Sequence, residues 1–249
     1  MKVAVVTGGS SGIGAATARV LAARGWRCVL LARGRERLER VAAEIGAEAE
    51  ACDVGDRGQV EEAARRIGER HPALQLLVSS AGIPGRKGFL ELDPARIEEV
   101  LRTNYLGGVW CLLAFLPLLR AGAPADVVNV VSTAGTIAVP RSGPYSASKH
   151  AQLAFSRSVA VELAAVGIRV HTVNPGPVKT DGFPQERLLS HPRTRRWVMR
   201  PETVAEAILA AVENGTLEVH LPRSFRLLGA LQALFPGTLT RVLTRRRAT

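Results

Sequence analysis

Short runs of β-branched and aliphatic residues alternate with helix-period segments along the first two-thirds of the chain, and that alternation limits its possible folds. Strand-like runs fall at 2–7 (KVAVVT), 27–32 (RCVLLA), 47–53, 74–79 (LQLLVS), 126–132 (DVVNVVS) and 168–173 (IRVHTV). Between them lie helical patterns at 12–24, 35–45, 56–70, 93–119 with a break near Asn104, and 143–166. Most of the strands are apolar at consecutive positions, so both of their faces are buried, and a helix between successive strands supplies a parallel crossover. This predicts an α/β fold, a doubly wound parallel sheet with helices on both faces and its ligand crevice at the carboxyl ends of the strands. A last strand at 218–221 brings the expected number to about seven.

Composition narrows the class. The 249 residues are 47% hydrophobic and 22% charged, enough to bury a large core and unlike a disordered chain. Repeats, low-complexity blocks and linkers are absent from the sequence, so residues 1–222 read as one domain and 223–249 as a C-terminal extension. Cys28, Cys52 and Cys111 are far apart, and the five His form no close pairs, which argues against a disulfide framework and a metal site. The apolar run at the N-terminus is short for a signal peptide, and no uninterrupted apolar stretch has spanning length. A cytoplasmic location is the expectation. The net charge of +11 invites a nucleic-acid reading, but eleven Arg against five Glu lie from Gly182 onward. The surplus belongs to the tail, and no nucleic-acid partner is expected.

Two motifs carry chemistry. Thr7-Gly8-Gly9-Ser10-Ser11-Gly12-Ile13-Gly14 follows the first strand and opens the first helix. Glycines there let the backbone turn tightly and approach a pyrophosphate seated on the helix N-terminus. Many strand–helix turns use glycine without a ligand, and the spacing departs from GxGxxG; the position after the first strand favours a dinucleotide. Tyr145 and Lys149 stand four residues apart, on one helical face. Bringing a phenol from about 10 to about 7 needs roughly 4 kcal/mol. A cation about 4 Å away, at an effective dielectric near 20, supplies about that much. An exposed helix start would show the same isolated pair.

Together, in this order and at this separation, the motifs resemble the short-chain dehydrogenase/reductase family. The resemblance extends over nearly the whole chain: TGGSSGIG at 7–14, Asp53-Val54, Ser80-Ala81-Gly82, Asn104, Ser132, YSASK at 145–149 and Asn174-Pro175-Gly176. It implies a Rossmann-like oxidoreductase that moves hydride between a nicotinamide and a carbonyl or secondary alcohol. Its catalytic residues would be Asn104, Ser132, Tyr145 and Lys149. Tyr145 would exchange the proton, Lys149 would lower its pKa and bind the nicotinamide ribose, Ser132 would hold the substrate oxygen with Tyr145, and Asn104 would place a relay water. The cofactor would lie on Gly8, Ser10, Ser11, Gly12, Ile13 and Gly14, with Asp53 and Val54 at the adenine. Ala81 and Gly82 would line its path, and Pro175, Gly176, Val178 and Thr180 would hold the carboxamide end. Ser79-Ser80 stands where the family has two Asn, which removes side-chain bonds that steady the sheet. The same resemblance implies a homodimer or homotetramer. A catalytically silent nucleotide sensor or scaffold on this fold is the rival class, but such proteins often lose the Tyr or the Lys, and this sequence keeps both.

Cofactor choice is read from the end of the second strand. Ala32 stands where a carboxylate would bind a ribose 2′-hydroxyl, and Arg33 follows with a planar fork suited to a 2′-phosphate. NADP(H) is expected rather than NAD(H). Phe183, Leu188, Leu189, Trp197, Val198 and Met199 fall in the segment that covers the substrate in that family and suggest an apolar pocket, though such a stripe is as often ordinary packing. Family members that end in a similar apolar, basic extension imply a hydrophobic, lipid-like small-molecule substrate. In the extension, Phe225, Leu228, Leu231, Leu234 and Phe235 recur at helical spacing before Pro236, with Arg241, Arg245, Arg246 and Arg247 beyond. Two readings stay open: an interfacial helix giving peripheral contact with the inner membrane surface, or a helix packed on a partner subunit.

Overall fold

The computed structural model describes residues 1–85, 87–140, 142–238 and 241, without the side chain of residue 187. Seven strands form one sheet: β1 (Val3–Thr7), β2 (Arg27–Ala32), β3 (Glu48–Ala51), β4 (Leu76–Ser79), β5 (Ala125–Val130), β6 (Ile168–Pro175) and β7 (Glu218–Leu221). Their order is β3-β2-β1-β4-β5-β6-β7, and every pairing is parallel. The helices are α1 (Gly12–Ala23), α2 (Arg35–Ile45), α3 (Arg57–Arg70), α4 (Pro94–Leu101), α5 (Gly107–Ala121), α6 (Gly143–Ala164), α7 (Glu186–Leu189), α8 (Pro201–Asn214) and α9 (Phe225–Leu234). The doubly wound sheet expected from the alternation is the one observed.

β1 shows why its sequence takes this place. Val3 and Val5 enter the core layer beneath α3 and α5, while Ala4 and Val6 enter the opposite layer beneath α1 and α8. Neighbouring side chains leave a strand on opposite faces, so a strand covered twice needs apolar residues throughout. The edge strand β3 obeys a different rule. Its sequence is Glu-Ala-Glu-Ala, and α3 covers the acids: Arg66 Nη2 lies 2.6 Å from Glu50 Oε1, and Arg70 Nε lies 3.0 Å from Glu48 Oε2. Charge along an exposed edge also discourages pairing with another sheet.

The break expected near Asn104 is a π turn. Pro94–Ala121 forms one continuous 28-residue helix, in which Arg102–Leu106 is wound as π and directs Thr103 and Asn104 inward. By length and composition this helix could cross a membrane. Here Val100, Cys111, Phe115 and Leu119 are buried against the sheet, as in a core helix.

Strand order reverses between β1, whose crossover runs to β2 on one side, and β4 on the other. The loops leaving the two strands diverge and open the crevice there. At the opposite end of the sheet, Asp126 is buried on β5. Arg169 Nε donates to its Oδ1 at 2.8 Å, and His171 Nε2 lies 2.9 Å from the same oxygen. Burial pushes this carboxyl up, but His171 and Arg169 outweigh it and hold the group below the usual carboxylate range. Asp126→Asn should therefore cost about 3 kcal/mol at neutral pH, measured by denaturant unfolding. A depressed folded pKa contributes stability above about pH 4 and loses it as pH falls through the folded value. The stabilities of the two proteins should converge in acid.

Candidate active site

A cleft of about 760 Å³ opens at the carboxyl ends of β1, β4, β5 and β6. Its first wall is built backbone against backbone. Gly8 has φ of 68°, and a Cβ there would stand 3.0 Å from Ala81 Cα, so the loops leaving β1 and β4 touch directly. Thr7 Oγ1 locks them together by accepting the N–H groups of Ser80 and Ala81, each at 3.0 Å. A Cβ on Gly14 would overlap the Gly8 carbonyl oxygen, so the first turn of α1 also closes onto this loop. Ser11 caps α1 without a side-chain bond, which leaves the early amides of the helix available to an anionic ligand. Ser10, Gly12 and Ile13 complete this wall.

At the far end of the cleft, Arg33, Asp53 and Val54 line the space beyond β2 and β3. Asp53 Oδ1 accepts Gly55 N–H at 2.9 Å, and Arg33 Nη1 stands 3.9 Å from its other oxygen. Arg33 keeps 54% of its side chain exposed, so its guanidinium can turn to a ligand.

The opposite end holds the chemistry-bearing side chains. Ser132 follows β5 and caps a 3-10 turn at Thr133–Gly135, accepting Ala134 N–H at 3.1 Å. Its hydroxyl also donates to Pro175 O at 3.4 Å and stands close enough to the Tyr145 phenol to favour its ionised form. Ser132 thus serves both as turn cap and as neighbour of the phenol. Pro144 opens α6 and puts Tyr145 in its first turn, one turn before Lys149. The Tyr145 ring packs on Phe183, with centroids 5.5 Å apart. Lys149 is 4% exposed; its Nζ donates to Val130 O at 3.0 Å and to Gln152 Oε1 at 2.7 Å.

These protonation equilibria differ from the point-charge expectation. Burial pushes the Tyr145 phenol up to about 12, with Ser132 opposing it, and burial pushes the Lys149 amine down to about 7. An ammonium at a fixed distance would have lowered the phenol, but desolvation of both groups outweighs that effect. The protonated phenol is therefore the resting state at neutral pH.

Of the residues singled out in the sequence for catalysis or cofactor binding, all but Asn104 line the cleft: Gly8, Ser10, Ser11, Gly12, Ile13, Gly14, Arg33, Asp53, Val54, Ala81, Gly82, Ser132, Tyr145, Lys149, Pro175, Gly176, Val178 and Thr180. Asn104 sits behind it. Its Oδ1 accepts Ile83 N–H at 2.7 Å, and its Nδ2 donates to Ile83 O at 3.0 Å and Ser148 Oγ at 3.1 Å. Its side chain is committed to bracing the loop after β4 against α6. The loop after β6 crosses the cleft mouth, where the Thr180 methyl meets Gly12 and Thr180 Oγ1 accepts Phe183 N–H at 3.1 Å. Phe183 and Leu188 line the cleft, but Leu189, Trp197, Val198 and Met199 do not: Trp197 is exposed against Phe225, and Met199 bridges to Val178. Ser79, one of the two Ser in place of Asn, has a buried hydroxyl with no partner among the described residues. Gln152 was not singled out, and Thr7 entered only as the first residue of the glycine motif; their partners lie elsewhere in the fold, and the local sequence marks neither.

A long cleft with a glycine cradle and helix N-terminus at one wall, and a Ser–Tyr–Lys group at the other, defines a dinucleotide-dependent oxidoreductase. Comparison with known proteins agrees. Residues 2–188 match the short chain dehydrogenase family profile. Cis-4-hydroxycyclohexanecarboxylate dehydrogenase of Sinomonas cyclohexanicum is 37% identical over 217 residues, 83% of this chain and 87% of that one. An alcohol dehydrogenase from the archaeon Thermococcus sibiricus, solved with 5-hydroxy-NADP, superposes with a TM-score of 0.77 at 30% identity, covering 86% of this chain and 91% of that one. A 3-ketoacyl-(acyl-carrier-protein) reductase from Brucella melitensis, solved with NADH, gives a TM-score of 0.79 at 26% identity, covering 88% and 95%. This chain belongs to the short-chain dehydrogenase/reductase family. It is an oxidoreductase that uses a nicotinamide cofactor.

Proposed function

We propose that the enzyme is NADP(H)-dependent and interconverts apolar, lipid-like carbonyl compounds with their secondary alcohols, with Ser132, Tyr145 and Lys149 as its catalytic residues. The observation that carries this reading is the contact of Ser132 with the Tyr145 phenol at the cleft wall, with Lys149 one helical turn further along α6. The nicotinamide, when bound, supplies hydride to the carbonyl carbon. Tyr145 delivers its proton to the carbonyl oxygen, a role suited to a phenol that burial keeps protonated. Ser132 donates a hydrogen bond to the same oxygen and orients it. The Lys149 ammonium stabilises the phenolate left behind. Asn104 supports proton return by holding the loop after β4 and Ser148 in place.

Arg33 at the adenine end, with Ala32 in place of a carboxylate, supports a 2′-phosphate and hence NADP(H) over NAD(H). Ile83, Val139, Phe183 and Leu188 supply apolar lining at the reacting end. A homodimer or homotetramer is part of the proposal, since α5 exposes Leu113 and α6 exposes Val161.

The extension adds a docking surface. The inner face of α9 packs on the enzyme: Phe225 lies against Gly176 and Trp197, Gly229 meets Thr136, and Gln232 Oε1 accepts Ala138 N–H at 3.0 Å. Its outer face exposes Leu227, Leu228, Leu231, Leu234 and Phe235 beside the exposed Arg223, Arg226 and Arg241. Arg245, Arg246 and Arg247 lie outside the described residues. An anionic lipid surface complements both the apolar face and its basic rim, whereas a second copy would set Arg against Arg. We assign this face to peripheral contact with the inner membrane surface of the cytoplasm.

Tyr145→Phe should lower turnover by at least about a thousandfold while NADPH binding, followed by its fluorescence, is retained; appreciable turnover in this variant would remove Tyr145 from the chemistry. Arg33→Ala should raise the KM for NADPH about tenfold to a hundredfold and leave that for NADH unchanged. In liposome flotation, the full chain should rise with anionic vesicles, and a chain ending at Pro222 should stay below. Flotation of neither, or of both, refutes the membrane assignment.

A further inference from the structure

We propose that Gln152 is a positioning residue for Lys149: its amide oxygen and the Val130 carbonyl hold two of the three ammonium hydrogens, leaving one for the cleft. The proposal rests on two observations and on the catalytic reading of Lys149. Gln152 lies three residues after Lys149 on α6 and is only 2% exposed. Its Oε1 makes the shorter of the two contacts, 2.7 Å against 3.0 Å for Val130 O. A polar amide is costly to bury, so its oxygen here is matched to a charge that needs it.

Among the described residues, the ammonium has no charged hydrogen-bond partner. Burial is the cause of its lowered pKa, about 7. The elements facing it bring neutral groups: Val130 and Ser132 at the end of β5, Gly82 after β4, and Asn104 on the π turn. On α6 itself the titratable neighbours are the Tyr145 phenol, with Nζ 5.8 Å from the ring centroid, and His150, whose Nδ1 lies 2.8 Å from Ser146 O. On α4, Arg96 is paired with Glu99 and Glu98 is exposed; Arg102 on the π turn is also exposed. On β6, Arg169 and His171 are engaged with Asp126 at the other end of the sheet. An acceptor on the ammonium favours the charged form, so Gln152 works against burial and keeps Lys149 protonated nearer neutral pH.

The chain has four lysines, Lys2, Lys87, Lys149 and Lys179, so [13C]lysine labelling gives a readable titration of Lys149 in cofactor-free enzyme. The signal is assigned by its loss in Lys149→Met. Gln152→Leu should lower the Lys149 midpoint by about one pH unit, and Gln152→Glu, nearly isosteric and anionic, should raise it by at least as much. The alkaline limb of the kcat/KM profile should move in the same two directions, because the ammonium is lost as pH rises through its pKa. A midpoint unchanged in Gln152→Glu, or moved the same way in both variants, overturns the proposal. If instead the midpoints move as expected but Lys149→Met retains turnover, the clamp stands and the catalytic reading of Lys149 is the part that fails. A misfolded Gln152→Leu leaves Gln152→Glu to decide, since that variant keeps the side-chain volume.

Discussion

The close approach of two backbones at the end of β1 governs the rest of this molecule. Gly8 and Ala81 meet with no side chain between them, and Thr7 fixes the contact by accepting both amides that follow β4. That contact aligns the glycine loop, the N-terminus of α1 and the loop after β4. The same loop is gripped from behind by Asn104, whose amide also reaches Ser148 on α6. A short chain of hydrogen bonds thus runs from the glycine loop to the helix that carries Tyr145 and Lys149. Pre-organisation of this kind is worth more than any one contact, because the reacting groups need no rearrangement when a ligand arrives.

Burial does two separate jobs. In the two core layers it supplies stability through apolar surface, as on β1. Around Tyr145 and Lys149 it sets protonation, holding the phenol in its acid form and making the amine easy to neutralise. Asp126 shows the opposite balance at the other end of the sheet, where two basic partners override the same desolvation. Burial decides the direction for Tyr145 and Lys149, and charged hydrogen-bond partners decide it for Asp126.

Much of this was legible in sequence, for identifiable reasons. Consecutive apolar residues in β1, β2 and β4 could only mean coverage on two faces, and the glycine loop and Tyr145–Lys149 pair fell where the crevice had to open. β3 was harder, because an edge strand paired with Arg66 and Arg70 has no apolar run to betray it. The inward turn of Asn104 depends on π winding, which periodicity registers only as a break. Thr7, Gln152 and the paths taken by Trp197 and Met199 are tertiary matters: their partners lie far along the chain or across a turn. The phenol's protonation was misjudged because a point charge in a uniform medium omits the desolvation of both partners.

The π turn has a further implication for how this helix can change. One residue more than an α turn displaces all that follows by about 100° around the axis. α4 meets its neighbours through Val100, and α5 meets the sheet through Cys111, Leu112, Phe115 and Leu119, on faces that are in phase only because of that extra residue. Volume-conserving apolar substitutions on the buried face of this helix can be absorbed one at a time by repacking. Losing or gaining a single position between the two segments cannot, because it would rotate the whole buried face of α5 toward solvent. In this stretch the count of residues is under tighter constraint than their identity.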